Sequence, residues 1–248
     1  MHRNVIVAHR TDLGLERSEN QDAYGYWFDE ASACHLLIVA DGMGGGACGD
    51  LASRLTVHTI HAQFFDPSAR RTPIPERLGR AIIEANRVIR ERAERETRCQ
   101  GMGSTCVILA VTGGQAYLAH VGDSRLYLIR ESRIVRLTRD HSRVQRMVDD
   151  GLITEEEAMS HPDSNLIDRS LGPHATVEPE VRPEPLELLA GDTFVLCTDG
   201  LTGLVRDEEI FTIIHEAPPQ PACEALIELA NERGGHDNIT VEIIRLVD

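Results

Sequence analysis

The order of apolar and polar segments predicts an α+β fold in which helices pack on the outer faces of antiparallel β-sheets. Strand-like segments come in runs and do not alternate strictly with helices, which is typical of antiparallel sheets. The 248 residues are 42% hydrophobic, which is enough apolar material for a large buried core. No Pro-, Gly- or Ser-rich linker divides the chain, so we expect residues 1–248 to form one domain.

The first part of the chain predicts three strands followed by two helices. The apolar runs "VIVAHR", "AYGYWFD" and "HLLIVAD" have the composition of strands. After the glycine-rich stretch "DGMGGG", the spacing of apolar residues predicts a helix over 47–65. The segment "PIPERLGRAIIEANRVIRERAERETR" places Leu78, Ile82, Ala85 and Ile89 on one face among many charges, which predicts a second, amphipathic helix.

The rest of the chain predicts a strand meander, a polar insert and a closing strand–helix–strand region. In "STCVILAVTGGQAYLAHVGDSRLYLIRESRIVRLT", turns at Gly113-Gly114, Gly122-Asp123 and Glu131-Ser132 separate β-branched runs, which indicates antiparallel strands. The polar segment 139–172 predicts short helices at most, and Thr154 and Glu157 have the spacing of a capping box. The run "DTFVLCTDG" predicts a buried strand, 206–215 and 221–233 predict helices, and "NITVEIIRLV" predicts the last strand.

The composition excludes several classes of function. A net charge of −15 gives a surface that repels phosphate backbones, so we expect no nucleic-acid binding. All 25 basic residues are arginine, which excludes P-loop ATPases, protein kinases and pyridoxal-phosphate enzymes in their usual form, because each needs a lysine. The first residues lack the apolar run of a signal peptide, and no segment has membrane-spanning length, so we expect a cytoplasmic protein with no membrane association.

The six cysteines are expected to be free thiols. No pair has CxxC spacing, and several lie in apolar runs such as "FVLCTDG" and "STCVILA". We therefore interpret them as small buried side chains of a protein in a reducing compartment.

Acidic residues recur beside predicted strands, next to Gly or Asn. Asp22, Asp41, Asp199 and Asp237 lie in "NQDAYGY", "IVADGMGG", "LCTDGL" and "GHDNITV", and Asp123 lies in a predicted turn in "HVGDSRLYL". Any one of them alone is most simply a turn residue, because Asp and Gly are favoured in turns. As a set, carboxylates brought to one place repel each other and need a shared cation. Oxygen ligands without a His/Cys cluster favour Mg²⁺ or Mn²⁺ over Zn²⁺.

These stretches, in this order and with these separations, resemble the metal-dependent serine/threonine protein phosphatases of the PP2C (PPM) family, bacterial type. The similarity spans nearly the whole chain, from "RTDLGLERSENQDAYG" to "GGHDNITV". It implies a four-layer α-β-β-α sandwich, in which two antiparallel β-sheets are flanked by helix pairs. It also implies that segment 139–172 is the flap of the family, a surface element near the site that contributes to substrate choice.

The resemblance implies a metal centre of two Mn²⁺ or Mg²⁺ ions. Asp41 matches the carboxylate that bridges the two ions, and Gly42 matches the neighbour whose backbone carbonyl binds metal. Asp199 and Asp237 match the acids on the first metal, and Asp22 matches an acid that holds waters on the second metal's side.

Two further positions carry implied roles. Arg17 matches the arginine that binds the substrate phosphate, for which a guanidinium fork is suited. Asp123, together with Asp199, matches a third metal site of bacterial members. The alternative for Asp123 is a structural one, in which "GDSR" forms a turn and Asp123 pairs with Arg125.

The reaction that the resemblance implies is hydrolysis of phosphoserine and phosphothreonine in proteins. A metal-bridging water or hydroxide attacks phosphorus and no phosphoenzyme forms. Many eukaryotic members have a histidine, a plausible proton donor, where this chain has Met43. A metal-bound water is then the first candidate for the general acid, and His141 and His161 are weaker ones. Phosphorylated proteins and a cognate serine/threonine kinase are the expected partners, and we expect a monomer.

Two other functions stay open from the sequence. A phosphatase fold can dock a partner without catalysis, but such proteins usually lose metal ligands, and the acids are all present here. A hydrolase of small phosphoesters would have the same metal core. A broad cleft beside the flap, rather than a closed pocket, would favour protein substrates.

Overall fold

The structure is a computed structural model that describes residues 4–44 and 48–247, and within these ranges it contains twelve strands and seven α-helices. The strands are β1 (Asn4–Asp12), β2 (Asp22–Asp29), β3 (Cys34–Met43), β4 (Gly103–Ser104), β5 (Cys106–Thr112), β6 (Gln115–Val121), β7 (Arg125–Arg130), β8 (Arg133–Arg136), β9 (Glu180–Val181), β10 (Leu186–Glu187), β11 (Thr193–Cys197) and β12 (Ile239–Val247). The helices are α1 (Cys48–Phe64), α2 (Ile74–Arg95), α3 (Arg143–Asp149), α4 (Glu155–Met159), α5 (Asp199–Thr202), α6 (Asp207–Glu216) and α7 (Pro219–Glu232). None of these described helices is both long enough and apolar enough to cross a membrane.

The strands form two sheets, and every pairing in them is antiparallel. One sheet has the order β1-β12-β11-β7-β8. The other has the order β10-β6-β5-β3-β2, with β4 added beside β3 and β9 beside β6. The prediction of antiparallel sheets in an α+β fold is therefore confirmed.

Three apolar cores separate four layers. The core between the two sheets contains inward-facing residues such as Leu37, Leu109 and Phe194. A second core lies between the larger sheet and the pair α1 and α2, and a third lies between the smaller sheet and helices α6 and α7. The order of layers is α-β-β-α, as the family resemblance implies.

Most predicted elements are present with small shifts at their ends. Helix α2 buries Leu78, Ile82, Ala85 and Ile89 completely, as their spacing predicts. The predicted insert holds only the short helices α3 and α4, and α4 begins with the predicted capping box. The first predicted helix begins at Cys48 in the described chain, and residue 47, where the prediction starts, lies outside the described residues.

The expectation that all six cysteines are free is wrong. Cys48 and Cys99 form a disulfide, with their Cα atoms 5.3 Å apart. Because α1 and α2 pack side by side, the first residue of α1 lies beside the 3₁₀ turn that follows α2, although the two cysteines are 51 residues apart in sequence. The other cysteines of the described chain are buried free thiols, as expected.

Candidate metal centre

Asp22 and Asp41 face each other across the ladder between β2 and β3, where they are direct partners in register. Asp41 is not at the end of its strand, because β3 continues to Met43 and pairs there with β4. Thr105 holds the backbone of Asp41 on both sides. The Asp41 N–H donates to Thr105 Oγ1 at 2.9 Å, and the Thr105 N–H donates to the Asp41 carbonyl at 2.8 Å.

Gly42 occupies a position where no side chain fits. A Cβ atom at this position would lie 2.0 Å from the Gly49 carbonyl oxygen and 2.6 Å from that of Gln21. The Gly42 N–H donates to the same Gln21 oxygen at 3.0 Å. Gly42 therefore lets the first turn of α1 pack directly against the acid-bearing end of β3.

Asp199 and Asp237 come from the other sheet. Asp199 is the first residue of α5, and only Thr198 separates it from the end of β11. Asp237 precedes the start of β12. Since β11 and β12 are antiparallel neighbours, the end of one and the start of the other lie at the same edge. The Thr198 N–H donates to the Thr240 carbonyl at 3.1 Å and fixes the two segments to each other.

Two threonine hydroxyls from this edge bind Asp22 and thereby join the two sheets. Thr198 Oγ1 donates to Asp22 Oδ2 at 2.9 Å, and Thr240 Oγ1 donates to the same oxygen at 2.7 Å. Burial raises the pKa of Asp22 to about 7, and the two hydroxyls oppose this shift. Asp22 Oδ1 is buried and has no hydrogen-bond partner in the described chain.

Asp123 lies in the turn between β6 and β7, close to the same centre. Ser124 Oγ is 2.7 Å from Oγ1 of Thr105, the residue that holds Asp41. The alternative pairing of Asp123 with Arg125 is not formed, because the Arg125 guanidinium donates to both oxygens of Asp140, with Nη2 2.7 Å from Oδ2.

The charges of neighbouring acids help to raise the pKa values of Asp41, Asp123 and Asp199. Burial, followed by the charge of Asp199, raises the pKa of Asp41 well above its ordinary value, and the same two causes act on Asp123. Burial and the charge of Asp237 raise the pKa of Asp199 to about 6, although a hydrogen bond with Asp41 lowers it. Two carboxyl groups form a hydrogen bond only when one carries a proton, so the group does not ionise fully without a compensating positive charge.

The donor set fits divalent cations that prefer oxygen. Within the described residues, Asp22 Oδ1, Asp123 Oδ1 and Asp199 Oδ1 are buried and accept no hydrogen bond. Buried carboxylate oxygens of this kind are ordinarily satisfied by a partner. A cation supplies both the missing partner and the missing positive charge, and oxygen ligands select Mg²⁺ or Mn²⁺.

Arg17 lies at the outer side of this group. Its Nη2 donates to Asp237 Oδ2 at 2.7 Å, and 53% of its side chain is exposed. An open cleft of about 540 Å³ lies beside Asp123, Asp199 and Asp237. Segment 139–172 and the α5–α6 region line its two sides, with Val144, Gln145, Met159, Leu204, Val205 and Arg206 among the lining residues.

The histidines considered as general acids are not among the residues that line this cleft in the described chain. Both ring nitrogens of His141 make polar contacts, with Gly122 and Glu180, and His161 Nδ1 accepts the Asp163 N–H at 3.0 Å. Met43 is the last residue of β3, and its side chain has no proton to donate.

Several residues of the site escaped the sequence analysis. Asn238 accepts the Gln21 N–H at 2.8 Å and donates to the carbonyl of Leu13 at 2.9 Å, so it ties the segment that carries Arg17 to Asp237. His236, which lines the cleft, is 2.8 Å from Glu16 through Nδ1. Their only signal in the sequence was their position beside Asp237.

Comparison with known protein sequences finds a family profile and relatives that match most of this chain. The sequence profile of the family "Protein phosphatase 2C" matches residues 16–232. The serine/threonine protein phosphatase PstP of Mycobacterium tuberculosis is 38% identical over 242 residues, which is 97% of this chain but only 45% of that longer protein. A protein phosphatase 2C-type protein of Streptococcus pyogenes is 38% identical over 240 residues, which is 96% of each chain.

Solved structures give the same result. The catalytic domain of PstP in complex with two manganese ions superposes with a TM-score of 0.85 at 36% identity, over 98% of this chain and 99% of that one. The profile match, these relatives and the shared fold together lead to one conclusion: the chain belongs to the protein phosphatase 2C family.

Proposed function

We propose that this protein is a metal-dependent phosphatase that hydrolyses phosphoserine and phosphothreonine esters in proteins. The observation that carries the proposal is the group of acids, three of which present a buried, unpartnered oxygen in the described structure, beside an open cleft that Asp123, Asp199 and Asp237 line. In this proposal Asp41, Asp199, Asp237 and the carbonyl of Gly42 hold two Mn²⁺ or Mg²⁺ ions. In the same proposal, Asp22 would hold water molecules on the side of the second metal.

The metals, when bound, lower the pKa of a water molecule and polarise the phosphoryl oxygens. The chain itself positions the substrate and the ligands. The guanidinium of Arg17 uses one nitrogen for Asp237, which leaves further N–H donors for the phosphate oxygens. Thr198 and Thr240 hold the carboxylate of Asp22 in one orientation by donating to its Oδ2.

A cysteine-based phosphoenzyme is not supported by the environment of the thiols. Burial raises the pKa of Cys34, Cys106 and Cys223 to about 12, and it also raises that of Cys197. A nucleophilic cysteine needs a lowered pKa and access to substrate, and buried thiols of this kind are inert. Direct hydrolysis at the acidic site is therefore the route that we propose.

Protein substrates fit the open cleft better than small phosphoesters do. One wall of the cleft is built by the flap, so residues on both sides of a phosphorylated side chain have a surface to contact. A protein serine/threonine kinase is the partner that this activity implies, because the esters must be made by phosphoryl transfer to Ser or Thr. We also propose that the chain acts as a monomeric catalytic domain with 139–172 as its flap, and that Asp123 takes part in a third metal site.

The test is hydrolysis of a phosphothreonine peptide by metal-stripped protein, with Mn²⁺ added or withheld. We expect activity only with Mn²⁺, and a loss of about 10²–10³-fold in Asp199→Asn. Asp66→Asn is the matched control, since Asp66 caps the 3₁₀ turn Pro67–Ala69 and Asn is an equally good cap. An absence of Mn²⁺-dependent turnover in folded wild-type protein would refute the proposal. A higher kcat/KM for p-nitrophenyl phosphate than for the peptide would contradict the assignment of protein substrates.

A further inference from the structure

A second group of metal-ligating side chains lies at the base of the flap, apart from the acidic centre. His120 on β6, His141 at the start of the flap and Glu180 on β9 each place one ligand atom within 4.8 Å of the others. The two imidazole rings stack with their centroids 4.7 Å apart. We refer to these three residues as the flap-base cluster.

The hydrogen bonds of His120 leave one ring nitrogen ready to bind an ion. Nε2 lies 2.8 Å from the Arg139 carbonyl oxygen, so it must carry the ring proton and donate it. Nδ1 then has a free lone pair. This atom is buried, the residue is 1% exposed, and Nδ1 has no hydrogen-bond partner in the described ranges. A histidine whose far nitrogen donates to a carbonyl has the orientation typical of metal-binding histidines.

His141 is held less tightly. Its Nδ1 accepts the Gly122 N–H at 3.2 Å, and its Nε2 lies 3.2 Å from Glu180 Oε2. Both distances are at the long end of the hydrogen-bond range. Burial lowers the pKa of both histidines, so both rings are neutral at neutral pH, the form in which imidazole binds metals.

We propose that the flap-base cluster binds one transition-metal ion of the Zn²⁺ type, independently of the catalytic metals. Two imidazoles and one carboxylate are a common ligand set for Zn²⁺ and its neighbours, whereas Mg²⁺ and Mn²⁺ prefer oxygen ligands. A fourth position is left for water.

The site has to contract when it binds the ion. The two rings, whose planes are within 19° of parallel, must turn, because the lone pair of an imidazole nitrogen lies in the plane of its ring. Tetrahedral ligands at Zn–N distances of about 2.1 Å lie about 3.4 Å apart, so the ligand atoms must also approach by on the order of 1 Å. Glu180 allows this, because 52% of its side chain is exposed. The ion replaces the proton on His141 Nε2, and the neutral ring then carries its proton on Nδ1. That exchange breaks the contact with the Gly122 N–H.

This exchange links the ion to the acidic centre. His141 also donates its backbone N–H to the Gly122 carbonyl at 2.9 Å, so one residue holds both sides of the turn that precedes Asp123. An ion at the flap-base cluster thus acts on the position of Asp123 and on the start of the flap. This consequence, unlike the binding itself, rests on the proposed function.

The binding is tested by adding Co²⁺, and then Zn²⁺, to metal-stripped protein in a buffer that contains excess Mg²⁺. Co²⁺ in a tetrahedral nitrogen-containing site absorbs visible light strongly, whereas six-coordinate oxygen sites absorb weakly. We expect one strongly absorbing Co²⁺ per chain, displaced by Zn²⁺, in wild-type protein and in Asp199→Asn, in which the acidic centre is impaired. Glu180→Gln should weaken this binding at least tenfold, and His120→Asn should abolish it.

The matched control is Glu16→Gln, which alters the exposed His236–Glu16 pair and should leave the Co²⁺ spectrum unchanged. Glu180 is exposed, so Glu180→Gln keeps the test valid if His120→Asn does not fold. No strong Co²⁺ absorption in wild-type protein, or absorption that Glu180→Gln leaves intact, would overturn the proposal. Either result leaves the phosphatase proposal standing, because that is tested with Mn²⁺ and no Zn²⁺ present.

Discussion

At the scale of single residues, the hydroxyl of Thr240 favours the loss of the proton from Asp22. Its hydrogen bond to Asp22 Oδ2 lowers a pKa that burial raises. Removing it in Thr240→Val should raise that pKa further and weaken the binding of Mn²⁺, because metal and proton compete for the carboxylate. We expect the Mn²⁺ concentration for half-maximal activity to rise about tenfold, with a smaller change in kcat at saturating Mn²⁺.

The control for this variant is Thr112→Val. The Thr112 hydroxyl donates to the Ser32 carbonyl at an exposed turn, remote in sequence from the acidic motifs. Equal Mn²⁺ requirements in wild-type protein and Thr240→Val would show that the hydroxyl does not tune the site.

A second prediction concerns Glu242, which is buried between the two sheets on the same face of β12 as Ile244 and Leu246. Neither carboxyl oxygen makes a hydrogen bond of ordinary geometry in the described structure, and burial raises the pKa well above its usual value. The folded protein therefore binds a proton that the unfolded chain releases above about pH 4.3, so stability falls as pH rises from there towards the folded pKa.

Glu242→Gln should remove the loss of stability that a buried, ionisable carboxyl group causes at neutral pH. We expect a gain on the order of 2–3 kcal/mol in the free energy of unfolding at pH 7, which disappears near pH 4. Urea unfolding at both pH values measures it, with the exposed Glu216→Gln as the control. A gain that is the same at both pH values would mean that the protonation of Glu242 is not its cause.

The residues of the site could be predicted only in part. Acids beside Gly and Asn stand out in the sequence, and the structure brings Asp22, Asp41, Asp123, Asp199 and Asp237 to one place. The hydroxyl groups that hold Asp22 could not be found, because Thr198 and Thr240 are 176 and 218 residues away in sequence. Threonine in or beside a β-strand is too common to indicate a contact of this kind.

At the scale of elements, the Cys48–Cys99 disulfide fixes the start of α1 to the turn after α2. It closes a loop of 51 residues, so its loss should lower the free energy of unfolding by about 2–4 kcal/mol. Urea unfolding with and without a phosphine reductant measures the change. The double variant Cys48→Ala/Cys99→Ala should unfold like reduced wild-type protein and should not respond to the reductant. A wild-type transition that reductant does not shift would contradict the prediction.

Elements with strong local patterns were predicted well, and those defined by tertiary pairing were not. Helix α2 carries an apolar stripe that only a helix buries on one side. The two-residue strands β4, β9 and β10 have no pattern of their own and exist because β3 and β6 offer free edges to pair with. For the same reason β3 extends to Met43, beyond the predicted strand "HLLIVAD" that ends at Asp41.

At the scale of the whole molecule, charge should select among phosphorylated substrates. The net charge is −15, and the cleft is lined by Glu155, Glu156, Asp207 and Glu208 together with arginines. A negative field around the cleft attracts cationic peptides and repels anionic ones, and the attraction raises the association rate. We expect phosphothreonine peptides with flanking arginines to have a kcat/KM several-fold higher than peptides with flanking glutamates, in low salt.

The salt dependence separates this long-range effect from direct contacts. The Debye length falls from about 10 Å at 0.1 M ionic strength to about 3 Å at 1 M, so a preference due to the overall field should shrink towards unity. A preference that survives high salt would instead come from pairs formed in the cleft, for which Glu156 and Glu208 are the residues to replace. A phosphothreonine peptide with uncharged flanking residues is the control, since its kcat/KM should change least with salt. Faster hydrolysis of the glutamate-flanked peptide would mean that the acidic surface does not govern substrate choice.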